Sequence, residues 1–433
     1  MKKNLDAIVV KKTNSTLKPK TSKKSPTYRI SPGDELQDSI ELKRNYDITP
    51  NPEFLKAQRH LGHDNFTAPK DVIDNALDPD VNAKNVWVDI SQSDGKYTSV
   101  RIADDGLGIS PLIIDEVLKY GSKTGRDKSK FLGGYGSGLN TAALALGTKF
   151  EIRTKSENGA FYIREFDYYK ILETDKLEAP GRIGTNKEYN EFMKVTQSIT
   201  GTIVTITELD RMKNKDITSY IEALNRSLGK AYFYFITKFD KHIFLNGKEV
   251  VPIDPISRHL PEIVPYAINQ KFEYNGHKFT FSVYNIPHLI SRRRTKEAGR
   301  NKTNAGMYIF RNKRLVGEAL DLGIVGLAAD GHLSGIRIEF FMDGDCDELF
   351  DLTYIKVIRE LNKEQIDQDF RDACKSAIGK YVREIRNDDD LGDKARREKR
   401  NSTKSTNLNK EKIKNKQKKE KIKNKYLKIG SNA

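Results

Sequence analysis

The stretch Asp71-Val-Ile-Asp-Asn75-Ala-Leu-Asp78 sets a carboxylate and an amide four residues apart. On a helix, Asp71 and Asn75 share one face. An amide oxygen suits a hard cation such as Mg²⁺. A carboxylate one turn away is placed to orient and deprotonate an attacking water. An ordinary capped amphipathic helix has the same pattern. A second stretch, Asp104-Asp-Gly-Leu-Gly108, directly follows a strand-like run. A carboxylate at a strand end can accept a hydrogen bond from an exocyclic amine such as that of adenine. Gly106 and Gly108 let backbone approach a flat ring. Read alone, the stretch is also a plain turn. The regularly spaced oxygen ligands of a calcium loop are missing from it. The third stretch, Gly133-Gly-Tyr-Gly-Ser-Gly138-Leu-Asn-Thr-Ala-Ala, is a glycine-rich loop that opens a helix. Gly134, Gly136, Ser137 and Gly138 would offer free N–H groups and the positive end of the helix dipole to phosphate. The loop lacks the Gly-Lys-Ser/Thr ending of a Walker A loop. Nor does it open the first strand-to-helix crossover, as a Rossmann turn does. A flexible surface loop is its plainer reading.

The elements that must position these residues follow from hydrophobic spacing. Val72, Ile73, Ala76 and Leu77 recur at helical spacing and put Asp71 and Asn75 on a helix from Lys70 to Leu77. Residues 85–90 alternate as a strand, and Ser99–Ala103 is a second strand that delivers Asp104. A helix is expected over Ile113–Tyr120, before the glycine-rich loop, and another over Leu139–Leu146. Strands are expected over Lys149–Arg153, Ala160–Phe166 and Gly201–Thr207. A second region is expected to begin near Ile217, with a helix to Phe233. Strands come next over His242–Leu245, Lys278–Tyr284, Met307–Arg311 and Ile336–Phe341, and charged helices over Lys363–Arg386.

Taken together and in order, the three stretches resemble the GHKL superfamily, named for gyrase, the Hsp-type chaperones, histidine kinases and MutL. Gly201-Thr202 is similar to the family's fourth motif. The resemblance covers about residues 50–210. It implies a Bergerat-type α/β sandwich, a mixed sheet covered by helices, over 46–215. A second α/β, transducer-like domain over 216–388 would come after it. The resemblance implies ATP and Mg²⁺ as ligands, with Asn75 on the metal and Asp104 reading adenine. Gly134, Gly136 and Gly138 would lie in the phosphate-covering lid, and Asp78, Gly106, Gly108, Ser137 and Thr202 would line the nucleotide site. Asp71 stands where gyrase, MutL and MORC carry a catalytic Glu. A carboxylate shorter by one methylene must reach about a bond length further, so slow hydrolysis with intact binding is expected.

Within the superfamily the chain looks most like the MORC and bacterial MORC-like group. The lid string is one reason. Gly306-Met-Tyr-Ile-Phe-Arg-Asn-Lys-Arg-Leu315, similar to that group's transducer hairpin, is another. Leu349-Phe-Asp-Leu-Thr-Tyr-Ile-Lys356 resembles the segment that supplies a lysine to the ATP γ-phosphate, with Lys313 as a rival. A cation there would stabilise the charge developing on the phosphate. The resemblance implies an ATP-dependent homodimer that clamps DNA, in a group found with restriction–modification and other phage-defence systems. A chaperone-like or signalling ATPase acting on a protein partner is a different reading, and a nucleotide-sensing module with little turnover is a third.

Charge is distributed unevenly along the 433 residues. Residues 1–29 hold nine Lys/Arg against one acid, and residues 394–433 hold sixteen against three, so the net +16 belongs to the two ends. A basic leader (1–45) and a Lys-rich tail (389–433) of this composition do not fold alone. They suit a polyanion, duplex DNA above all; solubilising ends would look the same. Cys346 and Cys374 form no metal-ligand spacing, and a disulfide framework is not expected. No apolar run is long enough to span a membrane, and Ile8-Val9-Val10 is too short for a signal peptide. A cytoplasmic protein is the expectation.

Overall fold

The structure, a computed structural model, describes residues 50–60, 62–121, 129–133, 138–212, 216–287, 299–327, 331–352, 356–359 and 363–389. The leader, the residues after 389, and Gly134, Gly136 and Ser137 lie outside the described residues. The chain divides into Met1–Pro50 and Asn51–Ala433, and both sheets belong to the second unit.

An eight-stranded mixed sheet forms the first half of that unit. The strands are β1 (Asn85–Ser93), β2 (Lys96–Asp104), β3 (Lys149–Lys155), β4 (Phe161–Asp167), β5 (Gly181–Ile183), β6 (Gly201–Thr207), β7 (His242–Leu245) and β8 (Lys248–Glu249). Their order is β5-β4-β3-β6-β2-β1-β7-β8. Alternation along β1 buries Val86, Val88 and Ile90 on one face. On that face lie α2 (Thr67–Leu77), α3 (Gly138–Leu146) and α6 (Ile217–Ala231). They contribute Val72, Ile73, Leu144, Leu224 and Leu228 to the same core. The opposite face is covered near β2 and β6 by α5 (Asn186–Thr196), whose Phe192 packs with Ala103, Phe161, Ile163 and Ile203. The shorter α1 (Phe54–Gln58), α4 (Tyr168–Thr174) and α7 (Phe233–Lys238) complete this half. The mixed sheet with its covering helices is the Bergerat-type α/β arrangement.

The second sheet has five strands: β9 (Val264–Tyr274), β10 (His277–Asn285), β11 (Gly306–Arg311), β12 (Arg314–Leu320) and β13 (Ile336–Met342). Their order is β12-β11-β13-β10-β9, with β11 parallel to β13 and the other pairs antiparallel. A helix over 368–389, α8, buries Phe370, Cys374, Ile378, Val382 and Ile385 in the core of this sheet. Lys313 sits in the β11–β12 turn with φ 70°, its ammonium 3.9 Å from the Phe341 ring centroid.

Two expectations are corrected. The helix from Ile217 and His242–Leu245, both read as part of the second region, belong with the first sheet: α6 packs in its core, and β7 pairs with β1 in parallel. The buried Ile243 and Leu245 of β7 continue the first core, so packing overrides chain order. Ile113–Tyr120 is a series of turns rather than a helix. Its backbone bonds are mostly of the three-residue kind, as from Ile113 to Ser110 and from Glu116 to Ile113. The Leu118 carbonyl accepts from the Asn140 amide, at 2.6 Å. A carbonyl engaged by a side chain of another helix has no need of a further helical turn. Among the described residues, no helix is long and apolar enough to cross a membrane.

Candidate functional site

α2 is the axis of the site. Asp64 holds its start, accepting from the Phe66 and Thr67 N–H groups at 2.9 and 2.8 Å. Helical spacing then buries Asp71, Asp74 and Asp78, and leaves Asn75 half-buried. Buried carboxylates need partners. The cationic partners of Asp71 and Asp74 come from the second sheet and the segment after it. Lys356 Nζ lies 3.1 Å from Asp71 Oδ1 and 3.2 Å from Asp74 Oδ2. Arg314 Nε lies 2.8 Å from Asp74 Oδ1. Tyr232 donates to the same oxygen at 2.8 Å.

At Asp74 and Lys356 burial opposes ionisation, and opposite charges overcome it. At Asp74 burial pushes the carboxyl up, but Arg314, Lys356 and the Tyr232 hydroxyl hold it below its ordinary value. At Lys356 burial works downward, and Asp71 and Asp74 raise the ammonium above its ordinary value. Lys356 itself has φ 49°, in the left-handed region, and Arg314 donates to its carbonyl at 3.0 Å. Such a backbone conformation costs on the order of 1 kcal/mol and persists because its neighbours fix it. His63 Nε2 stands 3.7 Å from Asp71 Oδ2, and burial lowers the imidazole's pKa.

α3 begins against the same carboxylate. A side-chain carbon at Gly138 would meet Asp71 Oδ2 at 2.9 Å, so a larger residue there would have to displace that carboxylate. The residues before the glycine-rich stretch are gripped from two sides. Asp78 accepts from the N–H groups of Leu132, at 2.6 Å, and Gly133, at 3.4 Å. Arg311 donates to the carbonyls of Phe131 and Leu132, both at 3.0 Å, and Asn312 donates to Phe131 at 2.9 Å. Asp347 receives Arg311 in a two-pronged ion pair, at 2.6 and 2.9 Å. Such a pair fixes direction as well as charge.

Asp104 ends β2 opposite Thr202 of β6 and Val86 of β1. It is buried, and burial raises its carboxyl to about 7, against the Gly106 N–H that donates to it at 2.9 Å. Gly108 has φ 71°, and a side-chain carbon there would lie 2.2 Å from the Lys155 carbonyl oxygen. The end of β3 alone therefore demands glycine at that turn. Thr154 stitches the corner together. Its hydroxyl lies 3.2 Å from that of Thr202, donates to the Gly201 carbonyl at 3.0 Å and accepts from Ile109 N–H at 2.8 Å.

The structure thus places Asp71, Asn75, Asp78 and Gly138 on α2 and the facing end of α3, and brings Lys356 to Asp71. It places Asp104, Gly106, Gly108 and Thr202 together at the ends of β2 and β6. Sequence reasoning passes over Asp74, Arg314, Arg311, Asp347, His63 and Thr154. Arg311 and Arg314 lie within the hairpin it singles out, and an arginine in a strand with apolar neighbours is a sign of a buried ion pair.

Comparison with known proteins agrees with this geometry. Residues 64–202 match the family described as histidine kinase-, DNA gyrase B-, and HSP90-like ATPase. They form a domain of the GHKL ATPase class. Within that class the chain is similar to MORC proteins. It is 26% identical over 150 residues to the mouse MORC family CW-type zinc finger protein 3, covering 34% of this chain and 16% of that protein. It is 29% identical over 175 residues to the Arabidopsis thaliana Protein MICRORCHIDIA 5, covering 38% and 25%. It is 29% identical over 94 residues to the mouse ATPase MORC2B, covering 22% and 9%. The aligned stretch spans a quarter or less of each of these relatives.

The ion cluster makes a direct prediction. Arg314→Leu leaves Asp74 short of its closest cation and should cost roughly 3 kcal/mol or more of stability. Urea unfolding measures it. Adding Asp74→Asn should recover part of the loss, and a single-variant cost under about 1 kcal/mol would show the pair to be dispensable.

Proposed function

We propose that this chain is a Mg²⁺-dependent ATPase working as an ATP-gated dimeric clamp on DNA, in the manner of MORC and MutL. The observation that carries this reading is the meeting of Lys356 with Asp71: a cation from beyond the second sheet and a carboxylate from α2 share one buried point. Asp104 accepts the adenine amino group, and Thr202 and Thr154 hold that corner. Asn75, half-buried on α2 one turn from Asp71, offers the amide oxygen for Mg²⁺, which would neutralise phosphate charge when bound. The donor types fit a hard cation, since Asn75 can supply an amide oxygen and Asp71 and Asp78 carboxylate oxygens on or at the end of this helix. Asp71 accepts a proton from water while the water oxygen bonds to the terminal phosphorus. The bridging bond breaks, and ADP leaves with its electron pair. Lys356 turns from the carboxylates to the terminal phosphate and stabilises the charge there. The lid glycines close over the phosphates, and two closed protomers meet. The basic ends hold duplex DNA near the gate. The setting carried over from the bacterial MORC-like group is phage defence, in a reducing compartment where Cys346 and Cys374 stay out of disulfides.

A second reading, nucleotide sensing with little turnover, is favoured by two observations. Asp stands at the base position, and its carboxylate is already paired with Lys356.

Asp71→Asn should keep ATP binding and abolish hydrolysis, because an amide takes no proton from water. Steady-state phosphate release decides it. A variant as active as the parent would remove Asp71 from the role of base, and a parent without turnover would favour sensing.

The DNA part is tested separately. Deleting residues 394–433 should weaken binding to unrelated duplexes to a similar degree. It should also flatten the dependence of log affinity on log salt, by about 0.9 for each phosphate that the tail had neutralised. Duplex affinity measured across several salt concentrations gives both numbers. Equal affinity and slope with and without the tail would make it a solubilising end.

A further inference from the structure

His277 opens β10, beside the turn that joins it to β9, and Asp343 and Cys346 stand at the start of the short 3-10 helix Gly344–Phe350. One ligand atom from each lies within 4.8 Å of the others. The spacing Asp343-Gly-Asp-Cys346 is uninformative in sequence, and the third member arrives from another strand only on folding. Asp343 Oδ1 lies 3.3 Å from Cys346 Sγ. Zinc bonds of about 2.3 Å to sulfur and about 2.0 Å to oxygen, at a tetrahedral angle, set those two atoms roughly 3.5 Å apart. The sulfur and the oxygen therefore already stand at the separation of neighbouring ligands.

We propose that His277, Asp343 and Cys346 form a binding site for a divalent transition metal, zinc in the first place. The donor types select it. A thiolate and an imidazole disfavour magnesium and calcium, and imidazole, thiolate and carboxylate together suit zinc. Charge balances as well: the thiolate and the carboxylate neutralise a divalent ion beside a neutral imidazole. On binding, the Cys346 thiol gives its proton to solvent and the sulfur bonds to the metal. Cys346 is buried, whereas His277 and Asp343 are half-buried, so an ion enters from the imidazole and carboxylate side. That side also leaves a fourth position to water.

The site would matter to the rest of the molecule through Asp347. That residue lies on the same 3-10 helix and grips Arg311, which holds the Phe131 and Leu132 carbonyls. A metal would pin the tip of the β9–β10 hairpin to this helix and stiffen the anchor of the glycine-rich loop. The proposal is independent of the ATPase reading.

The test uses the full chain, stripped with a chelator. Zinc is titrated against a chromophoric competitor, and Co²⁺ is added in a parallel sample. The parent should bind zinc tightly and show a thiolate-to-cobalt charge-transfer band in the near ultraviolet. His277→Gln should weaken zinc by about tenfold or more, Cys346→Ser should abolish the cobalt band, and Cys374→Ser should change neither. Because Cys346 lies in the core, His277→Gln on the half-buried side keeps the test decisive if the serine variant fails to fold. A parent without a thiolate band, or zinc affinity that survives His277→Gln, overturns the site. The Asp343–Cys346 contact is then only a hydrogen bond at the start of the helix.

Discussion

Asp71 and Asp74 on α2 lie buried against Arg314 and Lys356, and the docking of the second sheet against α2 depends on that arrangement. Taking an ion out of water costs several kcal/mol, and the attraction between partners repays it only with close geometry. Here the cations come from β12 and the segment after Leu352, whereas the anions come from a helix of the first sheet. The two sheets are therefore held in one relation by charge as well as by apolar contact. The left-handed backbone at Lys356 fits the same account, since a strained residue survives only where its surroundings leave no alternative.

One further link between the sheets, through Arg311, meets the root of the glycine-rich loop, which Asp78 of the first half also holds. Asp78 takes the N–H groups of Leu132 and Gly133, and Arg311 takes the carbonyls of Phe131 and Leu132. Backbone fixed on both sides makes a firm root for that loop. Under the proposed function this gives the molecule its coupling. A terminal phosphate that draws Lys356 away from Asp71 and Asp74 changes the charge balance between the sheets. Site occupancy and the docking of the second sheet then share one free energy.

Much of the first half is legible in sequence because its signals are local. The helical spacing from Val72 to Leu77 places α2, and the alternation of residues 85–90 places β1. Asp104 stands out because a short acidic and glycine-rich turn comes directly after a strand. The features that escape depend on contacts between distant residues. The pairing of β7 with β1 joins positions far apart in the chain and is invisible in its short apolar run. Ile113–Tyr120 has helical spacing, yet its backbone is taken up by turns and by Asn140. Arg314 and Asp74 are passed over because nothing local marks two charges as partners. The same holds for His277 with Cys346. Lys313, a rival for the phosphate lysine, is placed over Phe341 by the hairpin turn, which only the fold reveals.

Under the proposed function, the corner around Asp104 reads adenine. This is tested most directly by titrating a fluorescent ATP analogue with Mg²⁺ into the parent and into Asp104→Asn at several pH values. Burial raises the Asp104 carboxyl to about 7, and the ionised form is the better acceptor for the adenine amine. Parent affinity should therefore be full at about pH 8 and fall as pH drops through about 7, and Asp104→Asn should bind weakly at every pH. Equal affinity in parent and variant, with no dependence on pH in either, would contradict the assignment of the nucleotide site.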